Sequence, residues 1–108
     1  MKVVLKDGTT ITGCTDSTSC NGVYIKRNNF ANAGVELDKI NSENVKEIKV
    51  YNDEDELIDS AVDLVFSGYF IDSYEENGVV VVFTTRAKTN EEKMQDEIAE
   101  LQEAIIGN

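Results

Sequence analysis

Cys14 and Cys20 are the only cysteines, with five residues between them in a segment rich in Ser, Thr and Asn. Two thiolates do not complete a tetrahedral zinc site, and the chain has no His to supply further ligands. A redox role needs a depressed thiol pKa, and only Lys26 and Arg27 stand near enough in sequence to supply positive charge. Two reduced thiols are favoured over a disulfide in a chain made in a cytoplasm. The absence of His also removes Ser-His-Asp and Cys-His nucleophile systems and the imidazole base.

Carboxylates are the other candidates. Asp53, Asp55 and Asp59 have the start of a calcium-loop spacing, but Leu57, Ile58 and Leu64 fall where an oxygen ligand, a Gly and the closing Glu belong. A solvated acidic turn is the simpler reading. Asp63 and Asp72 fall within expected strands, and nothing fixes them as an acid/base pair at a working distance. No Gly-rich stretch leads from a strand into a helix, so no phosphate cradle is present. Tyr24, Tyr51, Tyr69 and Tyr74 lack the basic neighbours of a base-stacking platform and read as sheet residues. The residue types imply no enzyme, no metal, no cofactor and no small-molecule substrate.

Charge points the same way. Residues 1–50 carry a net charge of +1 and residues 51–108 a net charge of −12. Phosphate repulsion opposes nucleic-acid binding by the second half. Dispersed acids can instead steer the chain towards a basic partner. No apolar run is long enough to span a membrane, and no secretory signal is visible at residues 1–20. Synthesis in a bacterial cytoplasm is the expectation.

The elements follow from period and turn chemistry. Asp7-Gly8 joins two strands, and a three-residue Lys6-Asp7-Gly8 loop sets Val3 opposite Ile11 and Leu5 opposite Thr9, gathering the apolar residues on one face. Val23–Arg27 reads as a short strand. Residues 28–44 read as a loop with a short strand near 34–38, since Gly34 and five Asn weaken the helical spacing of Phe30, Ala33, Leu37 and Ile40. Val45–Tyr51 is a strand, followed by an acidic turn at 52–56 and a return strand from Leu57. Residues 62–74 are extended and bulged near Ser67-Gly68. A two-residue Asn77-Gly78 loop pairs Tyr74 with Val81 and Phe70 with Thr85, leaving Ile71, Val80 and Val82 on a second apolar face that needs cover.

The last segment changes period. Thr89 and Glu92 form a capping box, and Met94, Ile98, Leu101 and Ile105 follow at spacings of 4, 3 and 4 up to Gly107. In heptad terms Ile98 and Ile105 occupy a, and Met94 and Leu101 occupy d. The stripe packs either on the chain's own sheet or on another subunit. The expected fold is mainly β (α+β): a small antiparallel sheet, sandwich or barrel-like body of hairpins at 1–88, then a C-terminal amphipathic helix in 89–108. The body is thin, since a chain of this length buries roughly 65% of its unfolded surface.

Three features in order carry a resemblance: the opening Val3-Val4-Leu5-Lys6-Asp7-Gly8-Thr9-Thr10-Ile11, the strand Val45-Lys46-Glu47-Ile48-Lys49-Val50 running into an acidic turn, and the final hairpin feeding a Glu-rich helix. This layout resembles small accessory structural proteins of phage tails and baseplates, and of related contractile bacteriocins, from low-GC Gram-positive bacteria. The resemblance implies a non-enzymatic virion component that assembles with other copies of itself or other virion proteins. On this reading the contacts fall to Met94, Ile98, Leu101 and Ile105, with Val80 and Val82 as a docking surface. The alternative is a small acidic inhibitor that imitates DNA and binds a cationic nuclease or regulator.

Overall fold

Alternating apolar residues close the first hairpin as the face rule requires. In the computed structural model, which describes the backbone of residues 1–106 and the side chains of residues 1–103, β1 (Lys2–Leu5) pairs antiparallel with β2 (Thr10–Ile11). Val3 lies opposite Ile11, and Leu5 N–H donates to Thr9 O at 2.8 Å. Gly8 takes φ +89°, the left-handed conformation that the three-residue loop demands.

β3 (Gly22–Arg27) buries Val23 and Ile25 and turns Tyr24 to the other side. Residues 28–44 depart from expectation: α1 spans Phe30–Leu37. Asn29 is its cap, its side chain accepting from Asn32 N–H at 2.8 Å. One of the residues counted against a helix is thus the one that starts it. Ala33 is buried, Leu37 packs against the core, and the half-buried Arg27–Glu36 pair, 3.4 Å apart, ties α1 to β3. A 3₁₀ turn at Asn44–Lys46 buries Val45, so the next strand, β4 (Ile48–Tyr51), is shorter than the alternation suggests.

β5 (Leu57–Ala61) returns from the acidic turn, where Asn52 Oδ1 accepts from the N–H groups of Glu54 and Glu56. β6 (Leu64–Glu75) and β7 (Gly78–Ala87) form the long hairpin. Its turn is Glu76-Asn77, with Glu75 opposite Gly78, Tyr74 opposite Val79 and Phe70 opposite Val82. The expected Asn77-Gly78 register is therefore displaced. The strand is bulged between Phe66 and Gly68, as expected, and again between Ile71 and Ser73. The second bulge exchanges the faces of Phe70 and Ile71.

The strands make two antiparallel sheets, β2-β1-β4-β5 and β3-β7-β6, and α2 (Asn90–Ile106) follows. The fold is mainly β with a C-terminal helix, and α1 is an addition to the expected plan. One apolar cluster joins Val3, Leu5, Ile11, Ile48 and Val50 of the first sheet to Val23, Ile25, Val79, Val81 and Phe83 of the second. Each such fully buried side chain contributes about 1.5–3 kcal/mol relative to exposure. The radius of gyration is 16.3 Å, against about 13 Å for a compact chain of this length, and the molecule measures 58 × 27 × 22 Å. A 17-residue helix adds about 25 Å to the length of the β body.

Candidate protein-interaction surface

α2 starts where the sequence places it. Glu92 N–H donates to Thr89 Oγ1 at 3.2 Å, and Thr89 N–H donates to Glu92 Oε1 at 3.0 Å. Two ion pairs fasten the first turns to the end of β7: Arg86 Nη1 to Glu92 Oε1 and Lys88 Nζ to Asp96 Oδ2, both 2.6 Å. Hydrogen bonds from the Arg86 guanidinium, then from Thr89 N–H, hold the Glu92 carboxyl at a pKa of about 2.

Beyond this joint α2 stands clear of the body. Every described side chain of the helix except Glu92 is exposed. Met94, Ile98 and Leu101 are 60%, 51% and 64% exposed. The structure therefore brings these three expected contact residues onto one uncovered stripe. Ile105, the fourth, and Gly107 lie outside the residues described at side-chain level.

The other two expected contact residues behave differently. Val80 is half-buried on the outer face of β7. Val82 is fully buried and offers no docking surface. It sits on the central strand with Tyr24 of β3 opposite on one side and Phe70 of β6 on the other. The displaced register is what delivers Phe70 to that position.

A second apolar surface escaped the sequence reading. On β6, Phe66, Tyr69, Ile71 and Tyr74 lie opposite Thr85, Phe83, Val81 and Val79, all of them buried. They continue the core-facing side of the sheet, yet they are 36%, 69%, 55% and 70% exposed. α1 is only eight residues long and packs mainly over β3 and β7, so it leaves most of the edge strand's core-facing side uncovered. An apolar groove of about 330 Å³ runs between α1 and β6, with Phe30 stacked on Tyr74 at a centroid distance of 5.1 Å.

The thiols are occupied structurally. Cys14 Sγ donates to Ile11 O and Cys20 Sγ to Ile48 O; both are buried and unbonded to each other. Burial pushes Cys14 up to about 11 and Cys20 up to about 12, the opposite of a reactive thiol. Asp59 accepts from Cys20 N–H at 3.0 Å, and that bond is the main reason its carboxyl is held below the ordinary range. Among the described residues, no group of three or more His, Cys, Asp or Glu side chains converges to hold a metal, and no helix is long and apolar enough to cross a membrane.

Comparison with protein-family models, curated proteins and solved structures returned no match.

Proposed function

We propose that this chain is a non-enzymatic assembly protein, an accessory structural component of a phage or prophage tail-like particle, whose α2 stripe binds another subunit. The observation that carries the proposal is the exposure of Met94, Ile98 and Leu101 on a helix whose described side chains, beyond the ion-paired joint with β7, are all exposed. An isolated helix of this length is marginal in water, so its stability in an assembly comes from packing that stripe. Ile at a with Leu at d favours a two-stranded partner helix.

The acidic-inhibitor reading draws on the face of α2 opposite the stripe, where Glu92, Asp96, Glu100 and Glu103 are spaced along the helix. Arg86 and Lys88 already neutralise the first two of these. That observation favours assembly over charge mimicry. Light scattering of the full chain tests the proposal: a dimer or trimer that Leu101→Asp returns to monomer supports it. A chain that is monomeric alone, and whose only binding is to a cationic nuclease with steep salt dependence, overturns it in favour of the inhibitor.

A further inference from the structure

We infer that β6 is a second self-association surface, on which two copies pair antiparallel about a two-fold axis through Phe70, independently of the α2 stripe. β6 is an edge strand: β7 lies along one side, and among the described residues no strand lies along the other. Its free backbone groups form a template for another strand.

The side chains say which strand. Around Phe70 the sequence reads Phe66-Ser67-Gly68-Tyr69-Phe70-Ile71-Asp72-Ser73-Tyr74. Large apolar residues stand one and four places to either side of Phe70, and small or polar residues stand two and three places away. The order is the same in both directions. Bulges fall between Phe66 and Gly68 and between Ile71 and Ser73, so Phe66, Tyr69, Ile71 and Tyr74 all face the core side. An antiparallel pair centred on Phe70 therefore sets Tyr69 against Ile71 of the second copy and Phe66 against Tyr74, each match on one face. A one-residue slip breaks both matches.

Charge favours the same arrangement. The acids of this hairpin strand and turn, Asp72, Glu75 and Glu76, all follow Phe70. Antiparallel pairing places Asp72 opposite Gly68 and Glu75 opposite Val65, and no acid meets an acid. Parallel pairing would set each acid beside its own copy, which is destabilising.

The area suffices. Taking an aromatic side chain as about 200 Å² and Ile as somewhat less, the exposed fractions of Phe30, Phe66, Tyr69, Phe70, Ile71 and Tyr74 leave roughly 600 Å² per copy. Doubled, it is about 1,200 Å², the lower limit for a stable specific interface.

The experiment uses the full chain. Phe70→Cys places two thiols directly opposite across the axis, at a Cα separation of about 4.5–5.5 Å, within disulfide reach. Mild oxidation is expected to cross-link Phe70→Cys and not Ser73→Cys, whose opposite number is Ser67. Chains carrying Tyr69→Lys with Ile71→Lys are expected to lose this contact, as are chains carrying Tyr69→Glu with Ile71→Glu. Mixing the two is expected to restore a one-to-one pair by light scattering, since each lysine then faces a glutamate. All these positions are exposed, and circular dichroism verifies the fold. Equal cross-linking at both cysteine positions in folded protein overturns the inference. So does an association that Leu101→Asp abolishes completely and the β6 changes leave intact; that result would leave the α2 proposal standing. Loss through the β6 changes alone would do the reverse.

Discussion

Leu101→Ala is the sharpest probe of the helical stripe. In the single chain the Leu101 side chain is 64% exposed, so that fraction of its surface remains to be covered by a partner. The substitution removes three carbons at about 0.8 kcal/mol each, or about 1.5 kcal/mol after scaling to the exposed part. A symmetric pair loses this twice, about 3 kcal/mol, which corresponds to about a 100-fold weaker dissociation constant. Ala is a better helix former than Leu, so a loss of helicity is not the cause. Sedimentation velocity over a wide concentration range reads the constant directly, with Glu100→Ala on the far face as the comparison. Thermal unfolding of the β body should stay put, because Leu101 touches none of its core. A dissociation constant unchanged within about threefold by Leu101→Ala would refute the reasoning, since it would mean the stripe is not the covered surface.

Three further outcomes follow from the packing and titration of particular groups. Cys14 and Cys20 should resist a thiol reagent at pH 8 in the native chain and react together in denaturant; because their folded values of about 11 and 12 exceed the ordinary 9.0, stability is complete below pH 9 and declines as pH rises through 11 to 12, which denaturant titrations at several pH values will read. Asp59→Ala leaves the Cys20 N–H without its acceptor and should cost about 1–2 kcal/mol, seen as a Tm lower by roughly 4–10 °C. Glu92 is held near 2 against an ordinary 4.5, so its contribution to the start of α2 is full above pH 4.5 and fades as pH falls towards 2; Glu92→Gln should remove that acid dependence from the circular dichroism of the helix while the body melts unchanged.

The parts legible in the sequence are those set by local chemistry. The first hairpin could be registered because only one loop length put Val3, Leu5 and Ile11 on a common face, with Gly8 to make the turn. The start and period of α2 were equally plain from Thr89, Glu92 and the stripe that follows. α1 was missed because an Asn before a helix and an Asn within a loop look alike until the Asn29 side chain meets Asn32 N–H. The β6–β7 register was missed because the bulge at Asp72 reverses facing partway along the strand, and Asn77-Gly78 marks the turn one residue late. Of the candidate contact residues, Met94, Ile98 and Leu101 were readable from spacing alone. The aromatic face of β6 was not, since alternation reveals which side a residue faces and not whether an eight-residue helix reaches far enough to cover it.

The joint between β7 and α2 has a mechanical consequence. Only Lys88 and Thr89 separate strand from helix, and two exposed ion pairs brace the connection like stays on a boom. Each such brace is worth about 0–1 kcal/mol and is weakened by salt. The boom itself is stiff, so its angle is governed at this one hinge. Were α2 packed against another subunit as proposed, ionic strength would therefore act on the angle at which the helix is presented.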